Sequence, residues 1–219
     1  MYKLVNLGKK YNNKMIYENL CLEIETGNIS VIKGKSGCGK TTLLRILAFL
    51  ESIDIGELFF NDEKMEPNKE YSVLRQKQVG YVSNENIFVE NISLMDNIRI
   101  IEEIRNETID IEKIKRAADL LGIENLLHEN VTLLSSGERQ RASLLKFIIF
   151  EYRVLLLDEP TANLDLENSQ MVIEIIKYLK KKGVTIITVS HDSSFDNIAD
   201  KIIEIERSEN DAYIKVIKS

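Results

Sequence analysis

Residues 34–41, GKSGCGKT, hold what is needed to cradle a polyphosphate. Gly34, Gly37 and Gly39 let the backbone curl until successive N–H groups point inward, and Lys35, Ser36 and Cys38 add their own amides. Lys40 brings a point charge for β- and γ-phosphates, and Thr41 a hydroxyl for Mg²⁺. Thr42 opens a helix whose positive dipole end favours the same anion. Two readings of Cys38 stand side by side: a small residue tolerated by packing, or a thiol whose modification blocks nucleotide. Residues 154–160, VLLLDEP, form an apolar run ending in two carboxylates. Asp158 suits the shell of a hard cation, and Glu159 suits a general base that polarises an attacking water. His191 follows VTIITVS, which places it at the carboxyl end of another strand as a sensor of the γ-phosphate; the bland reading is a structural histidine. His128 has no such context and reads as surface.

These groups work together only if strands and helices deliver them to one edge. Short apolar runs at 20–24, 29–33, 79–83, 153–157 and 184–190 read as strands, and VLLL and VTIITV suit strands buried on both faces. Residues 42–50 read as the helix after the phosphate loop. Residues 94–105 and 111–121 have helical spacing, with Ile98, Ile101 and Ile104, then Ile111, Ile114, Ala118 and Leu121, on one stripe. Asp110 is placed to cap the second helix and Gly122 to end it. Residues 201–205 and 213–217 alternate like an antiparallel pair across the polar turn SEND.

The 219-residue chain carries 29 Lys+Arg against 35 Asp+Glu, a formal charge of −6, so it lacks the global basic field that holds nucleic acid. Its two cysteines, Cys21 and Cys38, make no disulfide framework and fit a reducing compartment. No apolar stretch approaches the ~20 residues that span a bilayer, so a membrane role calls for a separate partner.

Residues 134–141, LSSGERQR, precede the acidic strand, and TANLD follows it at 161–165. The order of phosphate loop, LSSGE, DEP, NLD and SHD resembles the nucleotide-binding subunit of ABC transporters over essentially the whole chain. The LSSGE variant and compact length look most like the type serving lipoprotein release, macrolide or peptide export and cell division.

The resemblance implies an α/β fold: a P-loop NTPase core with a mainly parallel central sheet, an antiparallel β part and an inserted α-helical subdomain. One domain would cover 1–219, with the helical insertion at about 84–150. It implies ATP hydrolysis with Mg²⁺, and a head-to-tail dimer sandwiching two ATP. In that dimer Ser135, Ser136, Gly137 and Glu138 act on the other copy's ATP, while Asp165 couples the sites. Tyr11 stands where the family stacks an aromatic on adenine; a core tyrosine is the plain alternative. An integral membrane permease is the implied partner, with the subunit peripheral on the cytoplasmic face of the cell membrane. Part of the stretch 84–95, with Ile87, Phe88, Val89 and Leu94, would form the groove for that partner; the same residues serve equally as core.

Three departures accompany the likeness, one of them Lys146 where the family usually has arginine. Ser136 replaces a glycine, and Asn84 replaces a glutamine that ligates Mg²⁺ and water, its amide withdrawn by about 1.5 Å. Slow turnover is therefore expected. Rival readings are a nucleotide-binding regulator with little turnover and an ABC-type ATPase outside transport.

Overall fold

The computed structural model describes residues 1–12, 14–67, 69–83, 88–207 and 212–218. The chain opens with strands β1 (Tyr2–Tyr11), β2 (Lys14–Ile24) and β3 (Ile29–Gly34), then helix α1 (Lys40–Leu47). Strands β4 (Ile55–Phe60) and β5 (Glu63–Met65) lead through α2 (Ser72–Lys77) to β6 (Val79–Val82). Three helices follow: α3 (Leu94–Arg105), α4 (Ile111–Leu120) and α5 (Ser136–Ile149). The chain ends as β7 (Val154–Asp158), α6 (Leu166–Lys181), β8 (Thr185–Val189), α7 (Ser194–Ile198), β9 (Lys201–Arg207) and β10 (Ala212–Lys218).

Two sheets form. The larger runs β10-β9-β3-β8-β7-β6, parallel throughout except for the antiparallel edge strand β10. The smaller, β2-β1-β4-β5, is antiparallel. All five residues of β7 and of β8 are buried, as their unbroken apolar runs predict. The period-2 geometry of a strand divides those residues between two cores. Leu155, Leu157 and Ile186 join the core beneath α3–α6, whereas Val154, Leu156, Ile187 and Val189 join the one shared with α1 and the smaller sheet. In α1, Leu43, Leu44, Ile46 and Leu47 are fully buried, about 1.5–3 kcal/mol each, and pin the helix against the sheet.

α1 begins two residues before the sequence reading and stops at Leu47. Gly39 caps it in the left-handed region (φ 106°), and Phe49 turns to φ 56°. The Phe49 ring thereby joins Tyr2, Phe60 and Tyr71 at centroid distances of 6.2, 5.5 and 5.3 Å. α4 is capped by Asp110, whose carboxylate accepts from the Glu112 N–H, and Gly122 takes φ 63° just beyond it.

The stripe on α3 differs from expectation. Ile98 is buried, but Ile104, six residues on and so about 120° away around the helix, is 58% exposed. Leu94, Met95, Asn97, Ile98, Glu102 and Arg105 are the buried positions instead. Glu102 pairs with Arg99 and accepts the Ile109 N–H, and Arg105 lies 4.8 and 5.0 Å from the Phe150 and Tyr152 ring centres. In the expected groove, Leu94 belongs to the core, Phe88 packs against it partly buried, and Val89 is exposed. Ile87 and Asn84 lie outside the described residues.

Candidate active site

The register of three parallel strands sets the site. Ile32 of β3 pairs with Val189 of β8, and Val189 pairs with Asp158 of β7. The loops that follow therefore leave one edge of the sheet in the order phosphate loop, His191 loop, acidic pair, at the ~4.8 Å spacing of neighbouring strands. Lys40, Asp158, Glu159 and His191 all lie at that edge, Lys40 at the start of α1 and the others at or just beyond the ends of β7 and β8.

Residues 34–39 make the turn into α1. Gly34 has φ 148°, and a Cβ there would lie 2.5 Å from the Ile205 carbonyl of β9 and 2.8 Å from Cys38 Sγ. Only glycine lets β9 and the loop approach so closely. Cys38 is correspondingly buried. No side chain caps α1, which leaves its first N–H groups and positive end for an anion. Lys40 is folded back over the loop, its ammonium donating to the Gly34 carbonyl at 2.8 Å and the Lys35 carbonyl at 3.2 Å.

Thr41 and Asp158 line one cavity of about 540 Å³ together with Arg45, Tyr81, Ser83 and Lys146. Hydroxyl and carboxylate oxygens are the donors a hard cation prefers, so this pair fits Mg²⁺. Burial, and then the Asp158 charge, pushes the Tyr81 hydroxyl up to about 12. Lys146 keeps part of its surface in the cavity with its ammonium 5.0 Å from the Phe147 ring centre, and desolvation lowers its pKa.

Glu159 holds a left-handed backbone (φ 51°), fixed by its N–H donating to the Val189 carbonyl at 2.9 Å. Such a conformation costs a non-glycine residue on the order of 1 kcal/mol and turns the carboxylate away from the course of β7. It reaches toward the β8 loop, where His191 Nε2 lies 3.5 Å from one carboxylate oxygen and the His191 N–H donates to the other at 3.4 Å. The Thr161 hydroxyl donates to Asp192 at 3.2 Å and ties the two loops again.

Ser135 caps α5. Its hydroxyl accepts from the Glu138 N–H, and the Glu138 carboxylate accepts from the Ser135 N–H at 2.8 Å and hydroxyl at 2.7 Å. The Ser135 hydroxyl and N–H hold the Glu138 carboxyl below its ordinary pKa. Glu138 is thus turned onto its own helix start. Ser136 is exposed, whereas Gly137 is covered by the Asn168 side chain. Asp165 caps α6 by accepting from the Asn168 N–H at 2.8 Å and the Asn168 amide at 2.9 Å, bonds that lower its pKa. The other end of that amide accepts from Arg141. Asn168 and Arg141 thereby lock the starts of α5 and α6 together, a role the sequence reading missed. The spacing Asp165-x-x-Asn168 at the head of an amphipathic run is the capping signal that reveals it. Among the described residues, the hydrogen bonds of Ser135 and Glu138 stay within their own helix start, and those of Lys40 stay within its own loop.

Tyr11 ends β1 as a residue 40% exposed, with its hydroxyl on Glu51. Lys9 lies 5.2 Å from the ring centre and donates to the Ser52 carbonyl at 2.7 Å. His128 is exposed, as expected.

Residues 17–162 match the sequence pattern of the ABC transporter family. An uncharacterised ABC transporter ATP-binding protein of Methanocaldococcus jannaschii is 29% identical, with 92% of each chain covered. The ABC transporter ATP-binding protein YxdL of Bacillus subtilis is 31% identical over 95% of this chain and 84% of its own. The maltose/maltodextrin import ATP-binding protein MalK of Aliivibrio fischeri is 36% identical over 93% of this chain, which spans 55% of that protein's length. Among solved structures, a dimeric ATP-binding cassette in a post-hydrolysis state bound to ADP and phosphate superposes with a TM-score of 0.83. That match covers 96% of this chain and 98% of the cassette at 24% identity, a likeness of fold.

Proposed function

The chain belongs to the ABC transporter ATP-binding family, and we propose that it is an ATP-hydrolysing subunit that closes head-to-tail on a second copy and drives a separate membrane permease. The permease would be of the export, lipoprotein-release or peptide-resistance type and would hold the subunit on the cytoplasmic face of the cell membrane. The observation that carries this reading is the level register of Ile32, Val189 and Asp158, which brings three chemically distinct loops to one edge.

The amides of Gly34, Lys35, Ser36, Gly37, Cys38 and Gly39, with Lys40, Thr41 and Thr42, would hold the ATP phosphates. Thr41 and Asp158, with Asn84, would hold Mg²⁺, whose charge offsets that of the β- and γ-phosphates. Glu159 then acts as general base on the attacking water, and His191, joined to it across the β7 and β8 loops, as the sensor of the γ-phosphate. Tyr11 offers its exposed ring face to adenine. Ser135, Ser136, Gly137 and Glu138, the last through its cap, would present the start of α5 to the other copy's γ-phosphate, with Asp165 linking the two sites. The exposure of Ser136 at that helix start supports action across a dimer.

The test is Glu159→Gln. ATP binding by equilibrium dialysis should persist, steady-state phosphate release should fall by two orders of magnitude or more, and light scattering should detect a dimer trapped by ATP. Hydrolysis at the parent rate would remove Glu159 from the role of base. A parent that binds ATP but releases no phosphate, alone or with a co-purifying permease, would favour the regulator instead.

A further inference from the structure

The amino ends of β7 and β8, the sheet edge opposite the phosphate loop, border a cavity of about 690 Å³. Its size is within the range of sites that enclose a small organic molecule. Helices α4, α5 and α6 each contribute a wall. The apolar part includes Leu120, 47% exposed, together with the partly buried Ile148 and Tyr178.

The charged part has the opposite sign to the chain as a whole. Lys113, Arg116, Arg153 and Lys182 all line the cavity against one carboxylate, Glu151, which Lys113 engages at 2.6 Å. Lys182 sits 5.6 Å from the Tyr178 ring centre, and no carboxylate within 4.0 Å pairs with Arg116, Arg153 or Lys182 among the described residues. Three cations without counter-ions around an apolar recess, in a chain of net charge −6, make this a local trap for negative charge. Guanidinium groups also accept a carboxylate, sulfonate or phosphate in a two-pronged geometry. A half-open recess of this volume walled by three helices suits a compact molecule more than a helix or strand of another protein.

We propose that this cavity is a second ligand site, independent of nucleotide, for a small amphipathic anion. Its apolar body lies against Leu120, Ile148 and Tyr178, and its anionic head meets Arg116, Arg153 and Lys182. Because α4 lies between β6 and β7 in sequence while α6 lies between β7 and β8, such a ligand bridges two parts of the chain that meet only in the folded state.

The probe is 8-anilinonaphthalene-1-sulfonate, titrated by fluorescence into the full chain with its phosphate loop saturated by MgADP. One equivalent should bind. Arg116→Glu combined with Lys182→Glu should weaken it at least tenfold and leave ADP affinity unchanged. Lys3→Glu combined with Lys64→Glu, the same charge change on the smaller sheet, should leave probe affinity unchanged. N-phenyl-1-naphthylamine, the same body without the sulfonate, should bind at least tenfold more weakly, and Leu120→Asp should weaken the sulfonate by a similar factor. The proposal is overturned if the parent binds no probe, if the cavity reversal and the control reversal act alike, or if the neutral analogue binds as tightly.

Discussion

Gly137→Ala isolates the lock between the starts of α5 and α6. A Cβ built on Gly137 lies 2.4, 2.5 and 2.8 Å from Oδ1, Cγ and Nδ2 of Asn168, so the whole amide must move. That amide accepts from Arg141 and donates to the Asp165 carboxylate. The bond from the buried Arg141 contributes about 1.5–3 kcal/mol, and alanine returns about 1 kcal/mol in helix propensity. With Arg141 buried the upper value applies, and the net cost is about 2 kcal/mol. In urea this should lower the unfolding midpoint by about 1 M, with the slope unchanged. The sign should reverse once Asn168 is already alanine, since the three crowding atoms are gone; Gly137→Ala is then neutral or stabilising by up to about 1 kcal/mol. An equal cost in both backgrounds would refute the assignment of the strain to Asn168.

Ser135→Ala should cost about 1 kcal/mol of cap at pH 7. Ser135 holds the Glu138 pKa below 4.5, so the part of the difference carried by that carboxylate is full above about pH 4.5 and is lost as pH falls through the folded-state value; the gap between the urea midpoints should narrow in acid, with the hydroxyl's bond from the Glu138 N–H left. Lys146→Met should stabilise by about 1 kcal/mol at neutral pH, because it removes a desolvated ammonium. The folded pKa lies below 10.5, so the parent gains stability as pH rises through that window and the gap in midpoint should close toward pH 10.5. Gly80→Ala places a Cβ 2.0 Å from the Phe147 ring and should cost about 3 kcal/mol, read as a drop in thermal midpoint.

The phosphate loop, the acidic pair and His191 were legible because each sits at a strand end whose apolar run marks it without ambiguity. The antiparallel sheet was less so. In β1 the alternation is broken at Asn6 (φ 50°) and Gly8, where the pairing with β2 and β4 shifts register, and β4 begins beside Gly56. A period-2 pattern interrupted by bulges loses its phase. α2 is a six-residue helix with no buried residue, so periodicity carries nothing. α6 is different: Val172, Ile173, Ile176 and Leu179 form a regular buried face, and its signal was present. Asp165 was read for chemistry alone, although it is also the helix cap. Glu138 repeats that lesson, since its spacing from Ser135 is that of a capping box.

The strand order also governs how the protein comes into being. β3, which carries the phosphate loop, hydrogen-bonds to β8 and β9, whose residues follow it by about 150 positions or more. During synthesis the loop-bearing strand emerges early, yet one of its edges stays unpaired until Val189 has been made and the other until Arg207. Closing so long a connection is slow, and an exposed apolar strand such as ISVIK invites pairing with other chains in the interval. Until β9 has formed, the Ile205 carbonyl that backs Gly34 is not in place, and the phosphate loop lacks one of its walls. The nucleotide site is therefore completed late, and a chain cut before β8 should bind no ATP.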